Sequence, residues 1–185
     1  MRRVPTVAVL ARELSTVHQN ERPSTAPPAG PVGNRGGTVS PFDAEYEPSP
    51  WEPIAEEVAR YERSGGSEAS DLVGDEWIIL WTVGAQSGKV RKTPLVRVAD
   101  GDGNYAVVGS MGGAPTHPQW VHNVRAQPVA RLQDGAELRD FAVREVDGDE
   151  KAAWWARAVA VWPDYDAYQA GTDRVIPLFV LEPTT

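Results

Sequence analysis

The sequence predicts an α+β domain in which mostly antiparallel strands close into a barrel with helices inserted between them. Three observations carry this. Before Gly65 the apolar residues recur every three to four positions, and from Glu76 onward they run as short, continuous, strand-forming segments. Most of those segments are joined by hairpin turns, and the helical stretches fall between hairpins.

Ser15 to Pro50 is rich in Pro, Gly, Ser and Thr with few large apolar residues, so little burial offsets the entropy of ordering it. A disordered lead-in is expected over residues 1–48 and the barrel domain over 49–185. The basic start, Met1 to Thr16, reads against a signal peptide, because its apolar run ends at Arg12 and no small-residue cleavage site follows. Ser49-Pro50-Trp51-Glu52 has the form of a capping box, and Trp51, Ile54, Val58 and Tyr61 share one face of the helix that follows. Gly65-Gly66 ends it.

Trp77 to Val83 predicts a strand buried on both faces, and Gly84 to Gly88 a loop. A strand over Val90 to Ala99, the Asp-Gly-Asp-Gly turn at 100–103 and a strand over Asn104 to Ser110 read as a hairpin. A short helix over Gln119 to Ala126 follows. Val129 to Leu132, the Asp134-Gly135 turn and Ala136 to Val146 read as a second hairpin. Asp147 caps a helix carrying Ala152, Trp155, Ala156, Val159 and Ala160, a second short helix runs through Tyr165 and Tyr168, and Val175 to Leu181 closes the fold.

The chain has 185 residues, 41% of them hydrophobic, with seven Trp, enough for one core. Cysteine is absent, so redox chemistry has to come from a bound cofactor, and a cytoplasmic location is the simplest expectation. A net charge of −8 argues against nucleic acid as a partner. No window is long and apolar enough for a membrane span, while weak peripheral association stays open. Between Gly84 and Arg131, however, six basic residues stand against two acidic ones, which points to a local anion site.

Several catalytic templates are excluded by spacing. Gly84-Ala85-Gln86-Ser87-Gly88-Lys89-Val90 has three residues between its glycines, one short of a P-loop, and lacks the Ser/Thr after the Lys. The three histidines form no HExxH pair, so no metal site is expected, and Gly-x-Ser-x-Gly is missing. Three elements remain. The glycine-bounded loop with Lys89, Arg91 and Lys92 suits a phosphate or carboxylate, or is a solvated hairpin with a basic edge. Val107 to Gly113, running into Pro118 to Asn123, permits close approach by a flat ring, or is a strand, turn and helix with Trp120 in the core. Tyr165 and Tyr168 share a helix face and can wall an apolar pocket, or belong to the core.

Taken in order, these elements resemble the deazaflavin-dependent nitroreductase family of actinobacterial oxidoreductases, over roughly Trp77 to Pro183. The resemblance rests on Arg91-Lys92-Thr93-Pro94-Leu95, on Gly109-Ser110-Met111-Gly112-Gly113-Ala114 and on Pro118, Trp120 and Asn123. It continues through Pro163-Asp164-Tyr165, Tyr168-Gln169, Thr172-Asp173-Arg174, Ile176-Pro177 and Glu182-Pro183.

It implies a split β-barrel of the FMN-binding split-barrel-like class. It also implies coenzyme F420, an 8-hydroxy-5-deazaflavin hydride carrier with a phosphate and an oligoglutamate tail, which would reduce a small quinone, enone or nitro acceptor. The implied tail and phosphate contacts are Gln86, Ser87, Gly88, Arg91, Lys92 and Thr93. Pro94, Leu95, Val96, Val108, Gly109, Ser110 and Met111 would line the ring, and Gln119, Trp120, Val121, His122 and Asn123 would close the channel. Ser110, Trp162, Tyr165 and Tyr168 match catalytic and acceptor-pocket positions, with Tyr165 also near the cofactor.

Two departures remove positive charge. Ala85-Gln86 stands where the family's loop usually carries a basic pair, and Met111 where a Lys is common. They keep FMN open as the alternative cofactor, beside a non-catalytic lipid- or tetrapyrrole-binding barrel. Monomer and homodimer are equally compatible with the sequence.

Overall fold

The computed structural model describes residues 40–184, and its architecture follows from strand β1, Trp77–Val83. Ile78 and Leu80 point into the barrel core, while Trp77 and Ile79 lie beneath helix α1, Glu52–Ser64. Side chains alternate faces along a strand, so the unbroken apolar run Trp77 to Trp81 has to be covered on both sides.

The other strands are β2 (Val90–Val96), β3 (Val98–Ala99), β4 (Tyr105–Val108), β5 (Val129–Asp134), β6 (Glu137–Val146) and β7 (Leu178–Pro183). The remaining helices are α2 (Gln119–Ala126), α3 (Gly148–Val161) and α4 (Asp164–Ala170). All seven strands form one sheet, ordered β2-β1-β5-β6-β7-β4-β3, in which every neighbouring pair is antiparallel. Its outermost strands, β2 and β3, are separated in sequence by Arg97 alone, so the sheet must curl until its edges meet at that residue. The result is the expected split barrel. Arg97 is pinned at the corner by its Nε on Asp134 Oδ2 (2.8 Å) and its N–H on Glu76 O (2.9 Å), and Tyr105 Oη donates to the same carboxylate (2.7 Å).

The strand expected over 90–99 therefore breaks at Arg97. Its first part pairs with β1, and only Val98–Ala99 forms the anticipated hairpin with β4. Helix α1 also begins later than its capping box suggested. With Pro50 as its first residue, Pro53 would remove the first intrahelical hydrogen bond. The helix starts instead at Glu52, with Ser49 Oγ accepting from Trp51 N–H (3.2 Å) and left-handed Gly65 (φ 61°) closing the far end. On α3 the buried positions are Trp154 and Ala158, with Trp155 and Val159 half-covered, whereas Ala152, Ala156 and Ala160 are exposed. Alanine is favoured anywhere in a helix and so marks no face. Strand β7 starts at Leu178, and Val175 is 72% exposed.

The core lies in layers. Inside the barrel, Trp120, Val121 and Val124 of α2 meet Leu80, Leu132, Phe141 and Phe179. Outside, Tyr61 stacks edge-on against Trp77 (4.5 Å), and its hydroxyl accepts from Gly135 N–H (2.7 Å) at the β5–β6 turn. Gly66 is required here, since a Cβ at that position would stand 2.7 Å from the Tyr61 ring. On the opposite flank α3 and α4 cover β3, β4 and β7.

The lead-in expected to end at residue 48 is already built at Ser40. Phe42 is buried, and Tyr46 forms a parallel bridge with Val90 on the edge of β2. Residues 1–39 lie outside the described residues.

Candidate functional site

A cleft of about 170 Å3 opens between β2, the end of β4, the start of α1 and helix α4. One wall is Thr93, Pro94, Leu95 and Val96, another is Val108, Ser110, Met111 and Trp120, and the third is Trp162, Tyr165 and Tyr168. Three blocks far apart in sequence thus converge on one cleft. The lining is apolar and aromatic with a few hydroxyls, and the volume lies below that of sites enclosing a whole drug-sized ligand. It suits a ring whose substituents continue outside.

The sequence reading missed Trp51 and Ile54, which looked like ordinary core positions of α1, and Leu72 and Val73, while Gly112 and Pro118 fall inside the element it had marked for a flat ring. Leu72 and Val73 sit on a turn that carries no periodic signal. Ser70 Oγ accepts from both of their N–H groups (3.0 Å each) and so fixes that turn.

The floor of the cleft is the turn after β4. Met111 has φ +48°, a left-handed conformation that costs a non-glycine residue energy and persists only under outside constraint. Arg174 supplies that constraint. Its Nη2 donates to Ser110 O (2.6 Å) and its Nε to Ala114 O (2.7 Å), so one guanidinium clamps both ends of the turn. Its Nη1 meets His117 Nδ1 (3.0 Å), and since Arg only donates, Nδ1 is the acceptor and the imidazole is neutral. Burial and the Arg174 charge accordingly hold the His117 pKa below its usual value. Among the described residues no carboxylate pairs with Arg174, and burial lowers its own pKa.

The tyrosines stand 6.2 Å apart, edge to face. Burial raises both phenol pKa values, most for Tyr165, so both stay protonated and able to donate. Among the described residues, Tyr168 Oη is buried without a hydrogen-bond partner. The Trp162 indole lies near enough to favour its ionised form but does not meet hydrogen-bond geometry. A buried, unsatisfied hydroxyl in a cleft wall is costly unless something else completes it.

The expected anion loop differs more from its anticipated role. The N–H groups of Gly84, Ala85, Gly88 and Lys89 are engaged by Lys89 O, Asn123 Oδ1, Gly84 O and Ser87 Oγ, which leaves the N–H groups of Gln86 and Ser87. Gln86, Ser87 and Gly88 are exposed and do not line the cleft. Arg91 and Lys92, adjacent on β2, face opposite sides. Lys92, its side chain 9% exposed, lies between the rings of Trp81 (3.9 Å) and Tyr46 (4.4 Å) and is ion-paired with Glu62. Arg91 is ion-paired with Glu47.

Asn123 is fully committed inside the protein, its Nδ2 donating to Thr82 Oγ1 (3.0 Å) while its Oδ1 ties down the loop. Val121 is core, and Gly109 is needed because a Cβ there would meet Pro177 at 2.8 Å and Val121 at 3.0 Å. Gln119 and His122 are exposed on α2.

Two observations test the fit of a deazaflavin to these residues: an apolar, ring-sized cleft with aromatic walls, and an orphaned hydroxyl within it. Both suit the ring, while the cations beside it belong to the class that binds phosphate or carboxylate. Comparison with known proteins agrees. Residues 54–183 match the model of the F420H(2)-dependent quinone reductase family. An F420H(2)-dependent quinone reductase of Mycobacterium tuberculosis is 34% identical over 107 residues, 56% of this chain and 71% of that protein. A solved F420-H2 dependent reductase is 46% identical with a TM-score of 0.54, covering 57% of this chain and 93% of that one. A second solved structure, a domain-swapped dimer, is 39% identical with a TM-score of 0.56, covering 69% and 96%. On the family match and the site together, the chain belongs to the F420H(2)-dependent quinone reductase family and is an oxidoreductase whose cofactor is coenzyme F420.

Proposed function

We propose that the cleft between β2, the Ser110–Ala114 turn and α4 holds the coenzyme ring and the acceptor together, with Ser110, Tyr165 and Tyr168 serving the acceptor. The observation that carries this reading is the partnerless Tyr168 hydroxyl in the cleft wall. Bound, coenzyme F420 supplies the hydride, from C5 of its reduced ring, to a quinone-type acceptor. The protein's part is binding, orientation and exclusion of water.

Pro94, Leu95, Val96 and Val108 present one apolar wall to the ring, with Trp120 beside them and Met111 held against it by the Arg174 clamp. Trp162 closes the acceptor side. A quinone oxygen gains negative charge as it accepts hydride, and a protonated hydroxyl that gives up no internal bond can donate to it. Tyr168 meets that description, and Ser110, whose backbone carbonyl is fixed by Arg174, offers a second donor.

Anaerobic turnover of reduced coenzyme F420 with a soluble naphthoquinone tests this. Tyr168→Phe and Ser110→Ala are expected to lower turnover with little effect on coenzyme affinity; unchanged turnover in both removes their role. No helix among the described residues is long and apolar enough to cross a membrane. We read the chain as a cytoplasmic monomer or homodimer, two states that sedimentation separates.

A further inference from the structure

Lys92, next to Thr93 of the cleft wall, is enclosed by two rings, and the two more exposed cations before it, Arg91 and Lys89, both already have partners. Lys89 Nζ lies 3.4 Å from Glu45 Oε2 and 3.7 Å from Glu47 Oε1, while Arg91 pairs with Glu47 and donates to Pro48 O (3.3 Å). The segment carrying these carboxylates is fastened by one parallel bridge, with Val90 N–H on Glu45 O (2.9 Å) and Glu47 N–H on Val90 O (2.9 Å). Its beginning is tied down by Arg131, which donates to Ser40 Oγ (3.2 Å) and lies over the Phe42 ring (5.1 Å).

The position of this strap matters as much as its charge. Arg91, Thr93 and Leu95 lie on one face of β2, and Thr93 and Leu95 line the cleft, so Arg91 stands one strand repeat, about 7 Å, beyond the cleft wall. An anionic substituent on a ring in the cleft would therefore reach Arg91 and then Lys89. The ion pairs it would meet are reachable by solvent, with 38% of the Lys89 and 30% of the Arg91 side chain exposed. Such pairs are weak enough to exchange. The strap also runs directly, through Pro48-Ser49-Pro50, into Trp51 of the cleft wall.

We propose that Glu45 and Glu47 are specificity-determining residues: an internal pair of carboxylates that competes with the coenzyme's phosphate and glutamate tail for Arg91 and Lys89. Each ion pair the tail makes replaces one that already exists, so the tail adds little to affinity and the protein selects its coenzyme by the ring. This rests on the reading that the ring enters the cleft. It also accounts for a loop with Ala85-Gln86 and a turn with Met111, since a site that gains little from the tail has little use for further positive charge.

The test is a fluorescence titration of the full chain with two probes, the 8-hydroxy-5-deazaflavin riboside, which has neither phosphate nor tail, and coenzyme F420 with its glutamates. The wild type is expected to bind the two within about threefold. Glu45→Gln/Glu47→Gln, which keeps the backbone bridge, is expected to bind the tailed coenzyme about tenfold more tightly, the riboside unchanged, with the gain lost in 0.5 M salt. Glu47→Gln alone, the milder change, is expected to give about a threefold gain and keeps the test open should the double variant fold poorly. Tailed affinity that stays the same or falls in both variants overturns the competition while leaving the site in place. Failure of both probes to bind the wild type overturns the functional reading itself.

Discussion

The cleft and the basic edge of β2 are neighbours with opposite histories of satisfaction. In the cleft, the Tyr168 hydroxyl is buried without a partner and Met111 is held at a positive φ. Along the edge, Lys89, Arg91 and Lys92 each have a carboxylate, and Lys92 has two aromatic rings as well. In the cleft wall a hydroxyl is left without a partner, whereas along the edge every one of these cations has one, although the buried Nε1 of Trp81 beneath Lys92 has none among the described residues. The difference teaches that a positive cluster in a sequence is not yet an anion site, whereas an unsatisfied group beside an apolar cleft points to a ligand.

The comparison is broken most severely at Arg174. Arg174→Ala removes the donors at both ends of the Ser110–Ala114 turn and is expected to cost about 3 kcal/mol in urea unfolding, with turnover falling about a hundredfold. Arg174→Lys keeps the charge without the fork and should fall between. Tyr168→Phe sharpens the comparison because stability and function separate. No internal hydrogen bond is lost, so stability should stay within about 1 kcal/mol, while naphthoquinone turnover drops about tenfold or more.

Outside both regions, Tyr61→Phe deletes the acceptor for Gly135 N–H and should cost about 1 kcal/mol with coenzyme affinity unchanged. The smallest effect is pH-dependent. His117 titrates below its ordinary pKa of about 6.5, so the unfolded chain binds the extra proton first. Stability from this group is complete above about pH 6.5 and is lost as pH falls toward the lowered native value. Thermal melts at about pH 7.5 and pH 5.5 should fall less in His117→Asn, which keeps an acceptor facing Arg174 but cannot be protonated. Arg125, His122 and Glu145 also act on His117 and are unchanged in that variant.

What was legible in the sequence was local. The limits of β1 and α2, the β5–β6 turn and the run from Gly109 to Gly113 follow from periodicity, turn chemistry and small residues over a few positions. The break at Arg97 was not legible, because β2 and β3 read as one strand until β1 and β4 claim different parts of it. Nor were the partners of the basic edge, since Glu47 and Arg91 are 44 residues apart and Glu62 and Lys92 are 30 apart. Asn123 has the same lesson in reverse, a polar residue in a motif whose hydrogen bonds all go to its own chain.

The central claim is that the cleft itself receives the coenzyme ring, and blocking the cleft tests it most directly. Thr93 lines it and is only partly buried, so Thr93→Trp fills the space without disturbing the core, and Gln86→Trp places the same bulk on the exposed loop outside it. In fluorescence titrations with coenzyme F420, the wild type and Gln86→Trp are expected to bind with similar affinity and folded Thr93→Trp at least tenfold more weakly. Binding by folded Thr93→Trp as tight as that of the wild type would contradict the claim and place the ring elsewhere.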